Sequence, residues 1–172
     1  MSKPAESSTA LPLAHAVLRT LIVVNWLAGI PIFVLLVAMP TSQWIRSALH
    51  VPAEDPVIIG LQAIAALGLV AIPLNAVVLK RLLAIVASVR EGDPFVAANA
   101  ARLQTIAWML LALQVLSMII GVIARMISTP AHPLRISAGF SISGWLAVLL
   151  IFLLARVFAA GTVMRDELEG TV

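Results

Sequence analysis

Apolar residues in this chain do not alternate with polar ones. They run in four long blocks separated by short polar stretches. The blocks predict membrane spans at about 19–39, 57–79, 103–125 and 136–156, each close to the ~20 residues that cross a hydrocarbon core. Pro40 closes the first, and Lys80 and Arg81 close the second. Arg102 and Arg125 bound the third, Arg135 and Arg156 the fourth. The fold class expected is all-α: a polytopic membrane protein whose four transmembrane helices form a bundle. It reads as one domain over residues 1–172, with a flexible tail at 1–13 where small polar residues collect.

The polar stretches refine the picture. Glu91-Gly92-Asp93-Pro94-Phe95 reads as a helix stop followed at once by a helix start. Gly92 suits a left-handed position just past a helix end, Asp93 an N-cap and Pro94 a first helical turn. Between Arg81 and Arg90 the chain stays apolar and helix-compatible, so helix 2 should run from about Val57 to Arg90. That is roughly 50 Å at 1.5 Å per residue, longer than the membrane core. Helices 2 and 3 should therefore form a hairpin that projects from the membrane, with Leu82, Ile85, Val86 and Val89 buried. On the other side, Trp44 falls in a segment suited to a short interfacial helix, and Asp55-Pro56 suits the start of helix 2. After Arg156, helix 4 should continue to about Met164.

Composition fits this reading. Of 172 residues, 62% are hydrophobic and 11% charged, against roughly 45–50% and roughly 25% in ordinary soluble domains. Direct nucleic-acid binding is not expected at a net charge of +3. With no cysteine, no disulfide or thiolate chemistry exists. Eight of the 11 basic residues fall on the side of the chain termini and the middle loop; Arg46, Arg125 and Arg135 are the others. The positive-inside rule then puts both termini in the cytoplasm, with lipids as the surroundings.

Candidate chemistry is sparse. Functional ionisable groups at mid-membrane depth mark transporters and intramembrane enzymes, and all eight acids lie outside the four spans. His15, His50 and His132 show no metal-binding spacing. No catalytic residue, metal ligand or cofactor site is expected, and the chain reads as a non-enzyme. The intramembrane polar residues are amides: Asn25, Gln62, Asn75 and Gln114. They serve either as a polar pocket or, the reading favoured here, as glue between helices, with Asn25 and Asn75 bonded to each other. Pro31 and Pro73 should kink helices 1 and 2. Gly139, Ser143 and Ala147 form a ridge of small residues on helix 4, and Ser117 and Gly121 on helix 3; these suit close packing within the chain or a homo-oligomer. At the hairpin tip, Arg90, Asp93, Phe95, Asn99 and Arg102 form the candidate partner-binding cluster. The alternative is a capped turn with Phe95 packed near Val157 and Phe158.

Two segments resemble a known family. EGDPFVAANAARLQTIAW, Glu91 to Trp108, is similar to the hairpin signature of the bacterial family known as domain of unknown function 2975. VFAAGTVMRDELEGTV, Val157 to Val172, resembles that family's charged ending closing in Thr-Val, departing from it at Glu169-Gly170. The resemblance implies a small protein with four spans in the bacterial inner membrane, and a partner: such proteins are often encoded beside a small helix-turn-helix regulator. It implies no catalytic residues. The leading functional expectation is a regulatory membrane protein that tethers or restrains a soluble partner. The alternatives are an oligomeric protein that binds or transports a small molecule or lipid, and a structural subunit of a membrane complex.

Overall fold

The computed structural model describes residues 7–39, 42–43, 47, 55–92, 96–128 and 138–169. Among these, four helices account for the fold: α1 (Ser7–Ala38), α2 (Asp55–Arg90), α3 (Ala97–Ile127) and α4 (Ile142–Glu169). Each is long and apolar enough to cross a membrane. The class read from the apolar blocks is the observed one: an all-helical polytopic membrane protein. The segment around Trp44, the His50 and His132 side chains, and the connection through Pro133 lie outside the described residues.

Helix boundaries differ from the expected spans at several points. α1 already begins at Ser7, so residues 7–13, expected as a tail, are helical. α2 ends at Arg90 as expected, and Gly92 holds the left-handed conformation at φ +88°. α3 begins three residues later than the Asp93-Pro94 pattern suggests. Its N-cap is Val96, with extended backbone and no side-chain cap; Asp93, Pro94 and Phe95 lie outside the described residues. α1 and α2 run as continuous helices past Pro31 and Pro73, both on exposed faces.

Extensive packing joins chain neighbours: α1 with α2, α2 with α3, and α3 with α4. The α1–α2 contact sets Gly29 against Ile72 and Gly68 against Ile32. Asn25 joins it by donating from Nδ2 to the carbonyl of Ile72 at 2.9 Å, the residue before Pro73. The expected Asn25–Asn75 pair is thus replaced by an amide-to-backbone bond. A backbone acceptor is fixed in place by its helix, whereas a second amide must be ordered first. Asn25→Ala should lower stability by about 0.6–1.7 kcal/mol, read as a shift in the midpoint of unfolding in mixed detergent micelles.

The core lies toward the hairpin end. Val78, Leu103, Ile106 and Ala155 are buried together, with Leu82, Ile85, Ile151 and Phe158 against them. Leu82 and Ile85 face inward as expected, but Val89 is exposed. Among the described residues no third helix packs extensively on that face of α2 at the hairpin tip.

These contacts fix relative depth. Ala84 meets Arg102 and Ser88 meets Asn99, which places Arg81 level with Thr105. From Thr105 to Arg125 is about 20 residues, or roughly 30 Å, the thickness of a bilayer core. Arg19, opposite the stretch of α2 near Lys80 by the α1–α2 register, joins Lys80 and Arg81 at one boundary. Arg125 marks the other, and Gln114 falls close to mid-depth.

On this scale α4 starts near the middle of the membrane. Ser141 lies beside Gln114, and Gly139 beside Ser117 and Gly121. The fourth span was expected to be helical from residue 136, yet Ala138–Ser141 is non-helical and Gly139 has φ +135°. Gly139 therefore belongs to no helical ridge. Non-helical backbone at this depth needs partners from the protein itself, and α3 supplies them. The Gly139 amide donates to Ser117 Oγ at 3.2 Å, and the Gln114 amide reaches the Ser141 carbonyl at 3.5 Å. Ser141 then caps α4, accepting from the Gly144 amide at 3.1 Å.

Candidate functional site at the projecting hairpin

Beyond Lys80 and Arg81, α2 continues for nine residues, about 14 Å, and returns as the first turns of α3. Apolar packing by Leu82, Ile85 and Leu103 holds the two arms at their base. Higher up, a polar clamp takes over. Asn99 is fully buried, at 0% exposure. Its Nδ2 donates to Ser88 Oγ at 2.7 Å, and Ser88 Oγ donates to the Ile85 carbonyl at 2.8 Å. Arg102 donates through Nη1 to Asn99 Oδ1 at 2.7 Å and to the Ala84 carbonyl at 3.2 Å. A guanidinium donor roughly doubles the strength of such bonds. One amide therefore links α2, α3 and a cation, and α3 begins with an Asn99 amide-to-Val96 carbonyl turn at 2.8 Å.

This placement divides the candidate partner cluster. Asn99 and Arg102 share a face, as their spacing required, but that face turns toward α2. Asn99 cannot touch a partner from a fully buried position, and Arg102 spends its guanidinium within the hairpin. Arg90, Glu91 and Gly92 are exposed at the tip, while Asp93 and Phe95 lie outside the described residues. Phe158 packs on the core cluster from α4, and Val157 is exposed. α4 extends past the boundary cations to Glu169, and its Thr162 is buried, with Oγ1 donating to the Ala159 carbonyl at 2.8 Å.

The other polar candidates do not converge. Asn25 faces Ile72 on α1–α2, and Gln114 faces the start of α4. Gln62 and Asn75 are half-buried on α2. Gln114 lies flat where Gly144 leaves room: a Cβ at Gly144 would overlap the Gln114 amide. Among the described residues no group of His, Asp and Glu side chains is placed to hold a metal ion. Sequence reasoning missed Ser88 and the docking of Ala138–Ser141 on Ser117. Ser88, 11 positions before Asn99 across a helical turn, was a usable signal for a hairpin bond. Gly139 and Ser141 before the apolar run at Ile142 were one for a late helix start.

The chain is thus an all-helical membrane protein whose α2–α3 hairpin runs on beyond Lys80 and Arg81. A scan against known families matches it over residues 84–172 to the family described as Protein of unknown function (DUF2975). The match covers just over half of the chain, from the hairpin to the end, and the protein belongs to this family. No curated protein and no solved structure matches it.

Proposed function

We propose that this is a non-enzymatic regulatory protein of the bacterial inner membrane that holds a soluble partner at the cytoplasmic face. The observation that carries the reading is the hairpin itself. It stands clear of the boundary cations, it is braced by a buried amide clamp, and it ends in exposed Arg90 and Glu91. A rigid arm presents a fixed surface, which lowers the ordering entropy of binding. The cation bias supports cytoplasmic termini and a cytoplasmic tip. The partner that the family resemblance suggests is a small helix-turn-helix regulator.

The test is recovery of partners with the tagged full-length protein from native membranes, beside Arg90→Glu and Phe95→Ala. A soluble DNA-binding protein should accompany the wild type. Either variant should lose it while inserting normally, since Arg90 is exposed at the tip and both positions lie beyond the apolar spans. Absence of any soluble protein from the wild-type sample would overturn the reading.

A further inference from the structure

A stripe on α3 reads Ala101, Gln104, Trp108, Ala112, Val115 and Ile119, one helical face at three- and four-residue spacing, exposed except at the half-buried Ala112. Two hollows lie along it. The first, about 490 Å³, opens between α3 and α4, with Gln104, Arg156, Phe152 and Leu153 around it. Ala100, Ala101, Ala155 and Ala159 make its room, because each stops at Cβ. Ala155 faces Leu103 in the core, so Arg156 stands level with Arg102, about one turn outside the Arg81 boundary. This is the depth of lipid phosphates. The second hollow, about 430 Å³, runs between α3 and α2, walled by Val70, Leu74, Trp108, Val115 and Ile119. Its wall is almost wholly apolar. Trp108 joins the two: it lines the second and meets Phe152 of the first edge-to-face, with ring centroids 5.3 Å apart.

We propose that this stripe is a binding site for an anionic phospholipid. The phosphate sits between Arg156 and Gln104, and an acyl chain passes Trp108 into the groove against Val70 and Leu74. The order of chemistry along the stripe matches such a molecule: cation and amide at the membrane boundary, an aromatic pair just below, then an apolar trough. From Gln104 to Ile119 the stripe covers roughly 22 Å, more than one leaflet's half of the ~30 Å core. Basic pockets between transmembrane helices at the cytoplasmic boundary are the known setting for anionic headgroups. No carboxylate lines the first hollow among the described residues, so nothing there opposes the phosphate. The inference stands independently of the tethering reading.

The experiment is native mass spectrometry of the purified full-length protein, incubated with phosphatidylglycerol or phosphatidylcholine of identical chains. Wild type should retain phosphatidylglycerol preferentially. Arg156→Gln should reduce that preference about fivefold, the effect of one cation near a membrane surface, and Arg156→Lys should keep it. Ala112→Phe, which fills the trough, should lower retention of both lipids and leave the preference intact. Equal retention of the two lipids by wild type, or an unchanged preference in Arg156→Gln, would overturn the proposal. So would a lipid-free dimer, which would assign the stripe to a second copy of the chain.

Discussion

A single methyl group at position 121 is expected to destabilise the protein by about 2–3 kcal/mol, the upper range for overpacking. A Cβ on Gly121 would stand 2.7 Å from the Ala138 carbonyl oxygen and 2.7 Å from Gly139 Cα. Both are backbone atoms of the segment leading into α4, so no side chain can swing aside. Moving that segment away would stretch its bonds to Ser117 and Gln114, and at mid-depth no water replaces them. Gly68→Ala is the control. There the added methyl lands 3.7 Å from Ile32, an ordinary contact, and alanine favours the helix by up to about 1 kcal/mol. Unfolding in mixed micelles should separate the two variants clearly. A Gly121→Ala protein as stable as Gly68→Ala would mean that the segment does not dock where it is described.

Asn99→Leu should produce the second large effect, a loss of about 2–3 kcal/mol. Leucine has a similar volume but no polar atoms. Ser88 Oγ would lose a donor and Arg102 its shorter bond, leaving a guanidinium half-buried with the Ala84 carbonyl alone. Amide hydrogen exchange should quicken from about Ala84 to Arg102 and stay unchanged in α1. Arg90→Ala, on the exposed tip, should leave both readouts unmoved. If Asn99→Leu also abolishes partner recovery, the cause is loss of the arm's shape. A fully buried side chain has no surface to offer.

The parts of the fold that could be read from the residues are those encoded locally. Hydropathy is additive along the chain, so the blocks in α1, α2 and α3 were visible without any partner. Gly92 was readable because a left-handed residue at a helix end has few acceptable side chains. The start of α4 was not readable in the same way. Ile-Ser-Ala-Gly-Phe-Ser is apolar enough for a membrane helix, and what unwinds part of it is a patch on α3 some 20 positions earlier, at Ser117 and Gly121. Orientation at the hairpin was hidden for a related reason. Helices apolar around most of their circumference carry little rotational signal, so Asn99 could face outward or inward until α2 supplied Ser88. The start of α3 at Ala97, after the N-cap Val96, shows that Asp93-Pro94, a favourable local pattern, does not set the first helical hydrogen bond.

The late start of α4 also orders the protein's biogenesis. A helix that begins at mid-depth cannot enter a bilayer by itself, because the non-helical residues leading into it expose amides that lipid cannot satisfy. Among the described residues, Ser117, Gln114 and the bare backbone of Gly121 receive them. α3 must therefore be in place before the last segment settles. The same family match that spans residues 84–172 thus joins, in one length of chain, the template and the segment it receives during synthesis.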